Sequence, residues 1–203
     1  MTAATAPFEV MPGQRVTADV YEQVRDTLEG QAPNLLPGLT WEQFTHPGGG
    51  VFAIPDNQGR ISKVELILAS TPDETVKVNR WFLPDRRAGQ RPVPHNHRWT
   101  VMRSTILRGG YTEERYRSGR GGVGHERCVH AAGGRNELGH AVFHEVVEIL
   151  DPGETWTLMV CGHGQPGDWG YLDPDSGRYR HNEALAPDPG FAAAFRALNP
   201  HAA

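Results

Sequence analysis

Between Pro94 and Arg117 the chain reads PHNHRWTVMRSTILRGGYTEERYR, and it opens on two histidines one residue apart, His95 and His97. Strand side chains alternate with period 2, so a strand carrying both would present two imidazole nitrogens to one ion. Imidazole suits Fe, Zn, Cu and Ni, whereas Mg and Ca want oxygen ligands. The chemistry indicated is that of a transition-metal centre. Arg80 in VKVNRWFL and Arg103 in WTVMRSTIL are cations inside otherwise apolar, strand-like runs. A charge there is costly unless paired, so either could clamp a substrate carboxylate by a bidentate contact. Strict alternation from His97 turns Arg103 inward.

The elements that must position these residues are short strands. Twenty-four Gly and sixteen Pro in small clusters among 203 residues suit strands joined by turns better than a helix bundle. Strand signals begin at Val51 and recur to about residue 181: VFAIP, KVELILAS, TVKVNRWFL, the His-x-His strand, GGYTEERYR, VGHERCVH, AVFHEVVEIL, ETWTLMVCG and a hairpin through DWGYLDPDSGRYR. Asp175-Ser176-Gly177 supplies that hairpin's turn. Ahead of the strands, Thr17 can cap a helix over ADVYEQVRDTLEG, with Val20, Val24 and Leu28 at spacing four and Gly30 as its stop. Leu35, Leu36, Leu39, Trp41 and Phe44 then suggest a short helix or loop on the sheet edge, and FAAAFRALN a short C-terminal helix. The expected organisation is one domain: an N-terminal helical extension over residues 1–50, a β-barrel over 51–182, and a tail with a short helix over 183–203.

Net charge is −4, and no Lys/Arg run can track a phosphate backbone, so a nucleic-acid partner is not expected. No apolar run reaches membrane-span length and the first residues lack a secretory pattern, so a cytoplasmic location without a membrane is the expectation. Cys128 and Cys161 make no disulfide framework.

His95-x-His97, a hydrophobic strand, Gly109, and a further His about fifty residues on together resemble the cupin superfamily of small β-barrels. In that family's first motif two histidines are followed by a Glu and, seven residues later, a Gly. Counting back seven from Gly109 lands on Met102, so the carboxylate is missing. The second motif contributes one more histidine, matched here by His144 in AVFHEVVEIL, with His140 as the alternative third ligand. The resemblance therefore implies an all-β cupin barrel with a three-histidine site, His95, His97 and His144, similar to that of the cysteine dioxygenase-like cupins, and it implies a homodimer. It also brings Met102 inward through an irregular turn at residues 98–100.

The expected function is that of a non-haem Fe(II)-dependent oxygenase using dioxygen on a small polar or amino-acid-like molecule that coordinates the metal. Arg80 and Arg103 are its candidate anchors, and Glu145, with Glu148, flanks the third histidine as a candidate base. A redox-silent Zn or Ni cupin, an isomerase or hydrolase, would use the same ligands, and a non-catalytic cupin would use the barrel as a pocket.

Overall fold

In a computed structural model of the chain, the described residues are 6–31, 36–56, 58–85, 90–164, 168–184 and 189–202. A hairpin of β1 (Phe8–Met11) and β2 (Gln14–Val16) leads into α1 (Ala18–Gln31) and α2 (Trp41–Thr45). The strands that follow are β3 (Val51–Pro55), β4 (Ile61–Ser70), β5 (Thr75–Trp81), β6 (Val101–Arg108), β7 (Gly110–Gly119), β8 (Gly122–Ala131) and β9 (Arg135–Gly139). After them come β10 (Phe143–Ile149), β11 (Thr155–Cys161), β12 (Gly170–Leu172), β13 (Tyr179–His181) and the terminal helix α3 (Pro189–Leu198). No helix among the described residues is long and apolar enough to cross a membrane.

The strands form two antiparallel layers. One sheet runs β3-β4-β5-β11-β6-β9 and the other β10-β7-β8. The β12-β13 hairpin extends the second sheet, because the single residue His95 bridges His144 of β10 on one side and Tyr171 of β12 on the other. Side chains from both layers meet in one cluster of Trp81, Ile106, Tyr111, Val146 and Ile149. The all-β class, with a helical N-terminal segment and a C-terminal helix, is as the sequence indicates.

Alternation along β4 and β5 decides what faces the space between the layers. Val64, Leu66, Val76 and Val78 pack with Val20, Val24 and Leu28 of α1 and Phe44 of α2, so the outer face of the large sheet is covered by the N-terminal segment. Lys63, Glu65, Lys77 and Asn79 alternate with these and therefore point the other way. A capping box between Thr40 and Gln43 starts α2 by satisfying two backbone N–H groups.

Several elements differ from the expectation. The hairpin β1-β2 and strand β9 carry no long apolar alternation. Gly30 does not stop α1, which runs on to Gln31. His97 lies outside any strand: β6 begins only at Val101. Leu35 and part of the Pro-rich segment before α3 lie outside the described residues.

Candidate metal centre

His95 and His144 are brought together by backbone pairing. The His95 N–H donates to the His144 carbonyl at 3.1 Å and the His144 N–H to the His95 carbonyl at 2.8 Å. Residues directly opposite in an antiparallel pair project to the same side, which sets both rings over the same cavity. His97 arrives by a different device, a loop pinned at three points. The buried Asn96 side chain donates to the His140 carbonyl at 2.9 Å and accepts from the Gly170 N–H at 2.8 Å. The His97 carbonyl accepts from His140 Nδ1 at 2.7 Å.

The outcome is a convergence of three imidazoles. One nitrogen from each of His95, His97 and His144 lies within 4.8 Å of the others. His97 Nε2 and His144 Nε2 face each other at 2.8 Å, and the ring centroids are 4.9 to 5.2 Å apart. Burial, and then the neighbouring His144, push the His95 ring down to about 4. Burial, with His95 and His144 alongside, also holds His97 well below the ordinary histidine value. Both therefore favour the neutral form, the form that ligates a metal.

Behind His144 stands a carboxylate that sequence reasoning missed. Glu113 of β7 is fully buried. Its Oε2 accepts from His144 Nδ1 at 3.0 Å, which fixes the tautomer and leaves Nε2 facing the cavity. Its Oε1 accepts from His130 Nε2 at 3.0 Å, Arg115 Nε at 2.5 Å and Asn136 Nδ2 at 3.1 Å. Burial alone would raise the Glu113 carboxyl; the hydrogen bonds from His130 and His144, with Arg115, hold it below the usual carboxylate range instead.

The other candidates fall in different places. His140 is committed to the His97 carbonyl through Nδ1, while its Nε2 lies 3.8 Å from Asp168, so it braces the loop and stands outside the three-nitrogen cluster. Arg80 is a correction. It lies on the outer face of the sheet, donating to the Gly153 carbonyl at 2.6 Å and pairing with Glu154 at 3.3 Å, because alternation turns Lys77, Asn79 and Trp81 inward in its stead. Arg103 is a second correction: it faces solvent and pairs with Glu137 at 2.9 Å across β6 and β9, while Met102 turns inward. Glu145 is buried beside the site, accepts from the Val93 N–H at 2.7 Å, and lines the cleft. Glu148 lies 3.7 Å from Arg127, away from the cavity.

An inner cavity of about 50 Å³ between the layers is lined by all three histidines, together with Lys63, Lys77 and Asp85. It shares Lys63, Asp85, His95, His97 and Trp99 with an outer cleft of about 730 Å³. Trp99, Trp169, Tyr171 and Phe191 are that cleft's aromatic walls. Lys63, Lys77 and Asp85 were also missed. The lysines alternate with valine and leucine and look like the solvated face of a strand, and Asp85 follows Pro84 in a segment between strands.

No protein-family model matches the chain. No curated protein matches it in sequence. Among solved structures, KdgF from Halomonas sp. matches with a TM-score of 0.34 and 15% identity, over 50% of this chain and 82% of that one. A cupin superfamily protein from Desulfitobacterium hafniense matches at 0.34 and 10% identity, over 50% of this chain and 77% of that one. HEPD of Streptomyces albus, determined with 2-hydroxyethylphosphonate and Fe(II) bound, matches at 0.41 and 17% identity, over 58% of this chain and 25% of that one.

Proposed function

We propose that this chain is a cupin-type metalloenzyme, a non-haem Fe(II)-dependent oxygenase acting on a small polar substrate. The observation that supports the reading best is the convergence of His95, His97 and His144 in a cavity at the inner end of a cleft, with His144 aligned by a buried carboxylate. An all-imidazole donor set fits a borderline transition metal, and three protein ligands leave room for a substrate atom, as catalytic rather than structural sites do. The ion, when bound, would supply redox chemistry with dioxygen. The chain's own residues do the rest: Glu113 keeps the His144 proton on Nδ1, the Asn96 and His140 contacts hold the His97 loop, and Trp99, Trp169 and Tyr171 wall the cleft that leads to the histidines. Zn or Ni would use the same ligands for redox-silent chemistry. The carboxylate of Asp85, lining the inner cavity beside His95, gives that second reading an acid or base.

Elemental analysis of protein purified without metal supplementation tests the proposal. Near-stoichiometric iron is expected, lost in His95→Ala, His97→Ala and His144→Ala and retained in His140→Ala. Zinc or nickel lost in the same pattern would favour the redox-silent reading. Failure of the wild-type chain to bind any of these metals would remove the enzyme assignment.

A further inference from the structure

Lys63 on β4 and Lys77 on β5 place two ammonium groups on the inner face of the large sheet, and both line the inner cavity with the three histidines. A single carboxylate oxygen serves the pair: each Nζ lies 2.9 Å from Glu65 Oε1. The three side chains are only 21%, 9% and 12% exposed for Lys63, Lys77 and Glu65. Glu65 lines neither the inner cavity nor the cleft, whereas both lysines line the inner cavity. Aromatic faces steady them, Lys63 over Trp81 at 5.0 Å and Lys77 over Trp99 at 5.3 Å.

Burying a charge is costly unless it is paired, and here two lysines share one carboxylate oxygen. Asp85, unlike Glu65, lines the cavity; its Oδ2 accepts the Val146 N–H at 3.2 Å. Lys63, Lys77, Glu65 and Asp85 together carry no net charge, and neutral imidazoles add none. A divalent ion among the histidines then leaves two positive charges for a ligand to offset, with ammonium donors on the facing wall. Lys63 lines both the cleft and the inner cavity, so a molecule entering from the cleft meets it first.

We propose that Lys63 and Lys77 form an oxyanion subsite beside the metal, so that the substrate carries a compact oxyanion, a carboxylate or a phosphonate-type group. This rests on the metal reading above and narrows the substrate class. Lysine suits the task as a point charge with three rotatable donors, of which Glu65 takes one.

The test uses the full chain in two forms, loaded with Co(II), whose visible absorption reports on its ligands, and stripped of metal. Acetate and methylphosphonate are the probes, with acetamide as a neutral control. Saturable spectral change is expected with the oxyanions but not with acetamide, and the tighter of the two names the group. Lys63→Gln or Lys77→Gln weakens that binding by about tenfold to hundredfold, the scale of a lost charge-assisted hydrogen bond, with Co(II) content unchanged. Each variant leaves Glu65 one lysine partner, and circular dichroism reports that it folds; Lys63→Arg, which keeps the charge, retains more affinity than Lys63→Gln. Unchanged affinity in both Gln variants at full Co(II) content would overturn the subsite. Should the wild type take up no metal, the metal reading fails by itself. The subsite is then read on the metal-free chain: a rise in melting temperature with methylphosphonate or acetate, lost in Lys63→Gln, supports it, and no rise overturns it.

Discussion

Glu113 holds four donors on two oxygens, and each donor comes from a different side chain: His144 on Oε2, and His130, Arg115 and Asn136 on Oε1. A carboxylate accepts at both ends, whereas an amide must donate at one of them. In Glu113→Gln the amide nitrogen therefore faces either the His144 N–H or the cluster of donors, and one contact becomes donor against donor. Partners of this kind behind a metal-binding histidine are worth about 10- to 100-fold in metal affinity. Glu113→Gln is expected to weaken metal binding by about that factor, measured by competition with a chromophoric chelator, while circular dichroism stays native. Equal affinity in the variant would mean that His144 needs no carboxylate behind it. Glu113→Ala should also lower stability, because it leaves the mostly buried Arg115 guanidinium, 13% exposed, without its carboxylate.

Gly109 separates β6 in one sheet from β7 in the other, so the chain changes layers at a single residue. Its φ is +60°, and a Cβ there would meet Thr155 Oγ1 at 2.4 Å and the Thr155 Cα at 2.9 Å. Gly109→Ala adds left-handed strain of about 1–3 kcal/mol to a clash with the backbone of β11. A drop in urea-unfolding free energy of at least about 2 kcal/mol is expected, with weaker metal binding because Glu113 lies four residues downstream. Stability within error of wild type would show that the layer change does not need glycine. Gly109 was legible in the sequence as the end of a strand, and so were nearly all the central strands, because alternation is a local signal. The facing of each strand was not. KVELILAS alternates, yet its apolar side packs under α1 and Lys63 on its charged side lines the cavity, an inversion that only the position of the N-terminal helix decides. The same cause sends Arg80 outward. His97 defeated the alternation rule because a loop held by Asn96 and His140, rather than a strand, delivers it. Glu113 looked like one more acid in TEERYR, and three of its four partners, His130, Asn136 and His144, come from three other strands.

Across the whole molecule, the covered outer face of the large sheet frees the inner face to be ionic, and the protein's response to pH follows. Burial alone would raise the Glu65 carboxyl, but Lys63 and Lys77 override it and hold the group below the usual carboxylate range. Burial would lower Lys63, but Glu65 and Asp85 override it and raise the ammonium above its ordinary value. The two signs act at opposite ends of the scale. A carboxyl depressed in the folded state contributes stability that is present above its unfolded pKa, roughly 4.5, and is lost as pH falls below it. An amine raised in the folded state contributes stability that is present below its unfolded pKa, roughly 10.4, and is lost as pH rises through the folded value. Stability should thus be broad between these limits and fall on both sides. Glu65→Gln isolates the acid limb: at neutral pH it strands two buried lysines and is strongly destabilised, whereas in acid the unfolded wild type takes up a proton on Glu65 that the folded state does not, and the wild type loses that advantage. The stability gap between wild type and Glu65→Gln should therefore narrow by roughly 1.4 kcal/mol per pH unit below about pH 4.5, as read by urea denaturation at pH 7, 5, 4 and 3. A gap as wide at pH 3 as at pH 7 would mean that the Glu65 charge does not hold the two lysines in the cavity wall.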